Sequence, residues 1–431
     1  MNEHPPPGRL LPILSVAFVG SLGFSIVLPF LVFVVTRMGG NALVYGAVGA
    51  TYSAFQLVGA PILGRWSDRF GRRRILLLSQ LGTLASWLIF LGALYLPMVT
   101  WREVDTAVTG AFTLTVPLVV LFAARALDGL TGGNVSVANA YLADITSEEE
   151  RSASFGKMAV ATNVGYVLGP AIAGVLGGTV LGEVPPVLAA IAISLVASVI
   201  ILFGLRESTR CTISSKPERH GVGSVLGQEH KECYRIEAGP SLSLREVLAP
   251  ARIRILLVIH FLVFLAFNFF YICFPVHAAT RLEWTVTEVG VFFSVLSLMM
   301  AVVEGPVLGF ASKRARERTL VLLGSGVLAV GFAGYASGNV ASIYLASAGV
   351  ALGNGLLWPS LLALLANAAG EQTQGAVQGF ASSSAAVASI LGLVLGGLLY
   401  EQVAGRIFLV AGGVTVVALM VALSLRARPR A

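Results

Sequence analysis

Gly64-Arg-Trp-Ser-Asp-Arg-Phe-Gly-Arg-Arg-Arg-Ile-Leu76 stands between two long apolar runs, and the rest of the chain is read outward from it. Two membrane-length runs joined by so short a stretch require a tight turn, which Gly64 and Gly71 permit. Arginines cross a bilayer only at high cost, so a cluster of them marks the cytoplasmic side. Asp68 is the odd member, a lone carboxylate among cations, placed to form a defined ion pair.

Of the 431 residues, 56% are hydrophobic and only 12% charged, and the mean hydropathy is +0.83. Soluble domains carry about 25% charged residues, so the composition is that of a multi-span membrane protein. The net charge of +7 does not point to nucleic acid: the basic residues fall in loops between apolar runs, with no aromatic-basic RNA motif and no zinc-ligand spacing. Cys211, Cys233 and Cys273 form no disulfide framework. The segment Met1–Arg9 has no signal-peptide cleavage pattern, so the first span is expected to stay. His260 and His277 are expected near helix ends at the membrane interface, without a pairing that suggests a metal.

A span needs roughly 20 apolar residues. The runs place helices at 10–36, 43–64, 75–96, 112–143, 154–178 and 185–205, then at 253–279, 287–310, 319–336, 340–367, 375–399 and 405–425. The expected fold is therefore all-α, with twelve transmembrane helices in two six-helix bundles, 1–205 and 253–431. A polar cytoplasmic linker, 206–252, joins them. The cations fit both termini inside: of 29 Lys and Arg, only Arg37, Arg102, Arg281 and Arg406 fall in outer loops and only Arg125 within a span. The halves also repeat. Pro61-Ile-Leu-Gly64-Arg-Trp-Ser67 aligns with Pro306-Val-Leu-Gly309-Phe-Ala-Ser312, although Lys313 stands where the first copy has Asp68. The Pro97–Thr109 stretch is expected to be an extra length of outer loop in the first half.

Three stretches narrow the reading. One is the opening turn. The second is Arg125-Ala-Leu-Asp128-Gly129-Leu-Thr-Gly-Gly-Asn134, running on to Tyr141-Leu-Ala-Asp144 and Arg151. The third is Gly165-Tyr-Val-Leu-Gly169-Pro170-Ala-Ile-Ala-Gly174-Val-Leu-Gly177-Gly178. Together they resemble the drug:proton antiporter group of the major facilitator superfamily, and within it the tetracycline-efflux type. The resemblance implies two pseudo-symmetric bundles that rock about a central site. It further implies a cytoplasmic latch formed by Gly64, Asp68, Arg69, Gly71, Arg72, Arg73, Asp144 and Arg151. In that latch Arg72 pairs with Asp144, and Asp68 faces the start of the eleventh helix near Thr373–Gly375. Gly165, Gly169, Pro170 and Gly174 would seal the fifth helix against leak. The chain departs from the tetracycline exporters in one respect: its first span holds no acid and its third offers only Gln80.

Arg125 and Asp128 lie three residues apart, on one helical face near the middle of the fourth span. Ionisable groups at that depth cost at least about 2.5–3.5 kcal/mol on insertion scales and usually face a cavity or one another. They read either as a static pair or as a proton-linked switch. Glu304, in the inner third of the eighth span, is the second candidate for proton coupling. Tyr52, Gln56, Asn163, Asn268, Tyr271, Asn354 and Trp358 are candidates to line a substrate cavity.

The expected function is proton-coupled export of small organic, amphipathic compounds by alternating access. The proton gradient drives it and no cofactor takes part, since the chain has no G-x-x-x-x-G-K-S/T phosphate loop. The expected partners are a small-molecule substrate, protons and the bilayer of the cell membrane, and a monomer suffices. A facilitator or symporter for an endogenous metabolite is the alternative. A receptor on the same scaffold is a more distant one, and no nucleophile–base set suggests an enzyme.

Overall fold

A computed structural model describes residues 10–132, 134–146, 148–208, 249–369 and 374–425. Among them, ten stretches are long and apolar enough to cross a membrane. One of these, Val377–Leu423, holds two helices, because the chain turns sharply at Ala404, where φ is +48°. Ala42–Phe70 falls short of the apolar measure because Thr51, Tyr52, Ser53 and Gln56 interrupt it, yet it is a continuous helix packed among the others. The described residues thus form twelve helical rods, as the apolar runs require.

In chain order these are α1 (Leu11–Arg37), α2 (Ala42–Phe70), α3 (Arg72–Tyr95), α4 (Val116–Ile145), α5 (Glu148–Gly177) and α6 (Val184–Gly204). The second set is α7 (Ala251–Arg281), α8 (Val286–Ser312), α9 (Glu317–Gly334), α10 (Val340–Ala369), α11 (Gln374–Val403) and α12 (Ile407–Leu423). Several rods are broken. A turn at Ile26–Val27 precedes Pro29 in α1, α4 is interrupted at Gly132, and Pro306 sits in a π-helical turn, Val303–Val307, of α8.

One element differs from the sequence reading. The outer stretch between α3 and α4 is not a plain loop, and α4 does not begin at 112. The residues form an antiparallel hairpin of β1 (Thr100–Thr106) and β2 (Gly110–Thr115), and α4 starts at Val116. Thr, Trp and Val favour extended backbone, and Gly110, at φ +70°, closes the turn. The linker expectation falls mostly on 209–248, outside the described residues.

The two sets meet through α2 against α11 and α5 against α8. These contacts are densest in the halves nearest the hairpin. A β-carbon on Gly46 or Gly397 would collide with the backbone of the facing helix, and Gly174 lies against Gly290. At the arginine-rich end of the same four helices, a β-carbon on Gly64, Gly156, Gly305, Gly309 or Gly379 meets nothing within 4 Å. The packed wall at one end and the open space at the other leave a central cavity between the sets.

Candidate functional site

The cavity has a volume of about 620 Å³ and draws its walls from α1 to α7 and from α11. Its lining mixes aromatic rings, carboxamides and hydroxyls, and its one ion pair comes from α4. Arg125 Nη1 lies 2.8 Å from Asp128 Oδ2, with both side chains buried. Thr83 and Ser86 of α3 stand against the same carboxylate. The guanidinium carbon of Arg125 sits 4.7 Å from the centre of the Tyr52 ring, so the cation has an aromatic face as well as a carboxylate.

The geometry around this pair depends on the break in α4. A helix that stops inside a membrane leaves carbonyls without partners. Gln56 Nε2 donates to the Gly132 carbonyl at 3.1 Å and to Tyr52 Oη at 3.0 Å, and Ser79 Oγ donates to the Thr131 carbonyl. Gln56 therefore both holds the Tyr52 hydroxyl and helps close the broken helix end. Gly129 permits the approach of α2, because a β-carbon there would strike the Tyr52 carbonyl.

Of the expected cavity residues, Tyr52, Gln56, Asn163, Asn268 and Tyr271 line this space. Asn354 and Trp358 do not. Trp358 instead packs over His260 (4.9 Å between ring centres) and Phe264 (5.0 Å), which fills the gap between α7 and α10. His260 and His277, expected at the interface, are both buried, and His277 Nδ1 lies 3.3 Å from Tyr400 Oη. Glu304 is not among the cavity residues; it sits half-buried in the π turn of α8. Phe24 and Tyr166 were missed. They pack ring against ring beside Tyr52, and Tyr166, three residues after Asn163, shares its helical face.

At the arginine-rich end, Arg72 is buried and is the centre of a cluster. Its Nη1 lies 2.6 Å from Asp68 Oδ1, its Nε 2.9 Å from Asp144 Oδ2, and its Nη1 donates to Ser67 Oγ at 2.7 Å. Gly71, at φ +103°, makes the turn, and the Glu207 carboxylate fits against it and accepts from Arg73 N at 3.1 Å. Arg69 lies over the Phe70 ring. Thr373 and the side chains of Arg151 and of the first residues of α11, expected opposite Asp68, lie outside what the structure describes.

The glycines of α5 face two ways. Gly165 and Gly169 press on Ser21 and Ser25 of α1, and Ser25 Oγ donates to the Gly165 carbonyl at 3.1 Å. Gly174 faces α8 across the bundles, where its carbonyl accepts from Thr287 Oγ1 at 2.7 Å. Pro170 lies inside the helix between these two contacts.

The model of the Major Facilitator Superfamily matches residues 13–352 and 256–431. Tetracycline resistance protein, class E, of Escherichia coli is 28% identical over 417 residues, covering 95% of this chain and 93% of its own length. Multidrug resistance protein 2 of Bacillus subtilis (strain 168) is 28% identical over 411 residues, covering 94% and 92%. Among solved structures, the human organic anion transporter MFSD10 (TETRAN) superimposes with a TM-score of 0.67 at 18% identity, covering 97% of this chain and 100% of that one. A POT peptide transporter in complex with alafosfalin gives a TM-score of 0.72 at 16% identity, covering 97% and 94%.

Proposed function

The chain belongs to the major facilitator superfamily, and from that premise we propose that this transporter exports small organic, amphipathic compounds in exchange for protons. The observation that carries the reading is the Arg125–Asp128 pair in the wall of a cavity otherwise lined by aliphatic side chains, rings and neutral polar groups. Relatives named for tetracycline and multidrug resistance support the substrate class. The cycle alternates between two states of the bundles, one of which leaves the cavity open towards the arginine-rich, cytoplasmic side of the cell membrane.

In this reading Asp128 is the proton carrier. While ionised, it holds Arg125 through the 2.8 Å contact. Protonation weakens that pair and leaves the guanidinium to the Tyr52 ring and to any acceptor on the substrate. Substrate and proton then compete for the same cation, which is the minimum that exchange requires. The Asp68–Arg72–Asp144 cluster acts at a distance, by biasing which side is open. A monomer contains every part of this cycle, and the proton gradient drives it.

The test is transport by purified protein in liposomes with an imposed pH gradient. We expect Asp128→Asn to lose accumulation against a gradient while keeping downhill exchange. A facilitator is the second reading, favoured by the absence of any acid from the first span and by Gln80 in the third. It predicts wild-type transport that ignores a protonophore.

A further inference from the structure

The β1–β2 hairpin has no counterpart in the second half, where residues 335–339 alone connect α9 to α10. A part present in one repeat is not required by the repeated fold. Its contacts say what it does. On one side it is fixed to the first bundle. Thr113 N donates to the Gly39 carbonyl at 2.8 Å, Thr115 Oγ1 to the Met38 carbonyl at 2.7 Å, and Asn41 Nδ2 to the Thr109 carbonyl at 2.8 Å. The hairpin therefore moves with α1 and α2.

On its other side it meets the second bundle. Gln402, in the last turn of α11, donates from Nε2 to the carbonyls of Ala107 and Val108, both at 2.7 Å. The amide has two hydrogens, so both bonds are made at once. The neighbouring Glu401 accepts from Ala42 N at 2.7 Å. Ala42 is the first residue of α2, where the helix dipole favours an anion. Gly110, left-handed and without a side chain, leaves room for the second Glu401 oxygen; a β-carbon there would lie 2.9 Å from it.

We propose that the Thr100–Thr115 hairpin, with Glu401 and Gln402 of α11, forms a clasp that holds the hairpin end of the two bundles shut. This rests on the alternating-access reading above. The two Gln402 bonds join exposed groups, and exposed polar bonds exchange readily with water, while the Glu401–Ala42 bond is part-buried. Such a clasp weights one state without locking it, which suits a contact that breaks and re-forms in every cycle. When the bundles part at this end, Gln402 leaves the hairpin loop and Glu401 leaves Ala42.

The experiment places spin labels at Val180→Cys and Val340→Cys, exposed positions at the hairpin-end tips of the two bundles, with Cys211 and Cys233 replaced by serine. Distance distributions are taken in lipid nanodiscs at acid and alkaline pH. The wild type is expected to show two populations, and Glu401→Gln with Gln402→Ala to raise the long-distance fraction relative to the short by about five- to tenfold. Two wild-type populations with an unchanged ratio in the variant would overturn the clasp alone. One distance in the wild type under every condition would overturn alternating access and the clasp with it. A second arm needs no destabilised variant: bridging Val108→Cys to Gln402→Cys with a cleavable bifunctional thiol reagent should abolish transport, and cleavage should restore it. Transport at the uncrosslinked rate while bridged would overturn the clasp.

Discussion

Arg125 has three neighbours that matter: Asp128 at 2.8 Å, the Tyr52 ring at 4.7 Å, and the cavity. Removing the cation leaves a buried carboxylate without its counter-ion, which typically costs about 3–5 kcal/mol. Arg125→Ala should therefore lower the melting temperature of the purified protein as well as stop transport. The double variant Arg125→Ala/Asp128→Asn should recover much of the stability and none of the coupling. Arg72 invites the complementary measurement. Asp68 and Asp144 both bind it, so Asp68→Asn and Asp144→Asn should each cut the transport rate severely with substrate affinity near normal. Combining them should cost little more than either alone, because they act through one guanidinium. Additive losses would mean that the two acids work independently. The Arg125–Asp128 pair and the Arg72–Asp144 pair were legible in the sequence, the first by helical spacing and the second through the resemblance. The Tyr52 ring beneath Arg125 was not, because nothing along the chain records which face of α2 a residue of α4 meets.

The elements do their work where they are broken or bare. α4 stops at Gly132, and its loose carbonyls are taken up by Gln56 and Ser79, so the break fixes the ion pair instead of loosening it. α5 is bare at Gly174, where it touches α8. Gly174→Leu should push the bundles apart at the hairpin end, seen as a faster proton leak through liposomes at unchanged protein content. The same substitution at Gly92, where a β-carbon meets nothing within 4 Å, should leave the leak at its wild-type value. Equal leaks would remove the sealing role of the α5–α8 contact. Most of the twelve rods could be read from apolar length, since a bilayer imposes it, although Thr51, Tyr52, Ser53 and Gln56 interrupt α2. The hairpin could not: Arg102, Glu103 and Asp105 make β1 polar on both faces, and it lacks the alternation that marks a half-buried strand. The π turn of α8 was equally hidden, although Pro306 marked the place.

Among the described residues, two bundles meet closely at the hairpin end around a cavity with a single ion pair. This arrangement follows from the sequence in outline, through the repeated Pro-x-x-Gly stretch and the bias of the cations. The cavity's membership followed in part: Tyr52, Gln56, Asn163, Asn268 and Tyr271 line it, whereas Trp358 is spent on packing against His260 and Phe264. Glu304 likewise is absent from the cavity lining, which leaves Asp128 as the one acid among the described residues that lines it. The measurement that tests this most directly is uphill accumulation of a transported compound in liposomes under an imposed pH gradient, for the wild type, Asp128→Asn and Glu304→Gln. The account predicts that Asp128→Asn loses accumulation but retains downhill exchange, while Glu304→Gln still accumulates. Accumulation at the wild-type rate by Asp128→Asn would contradict it.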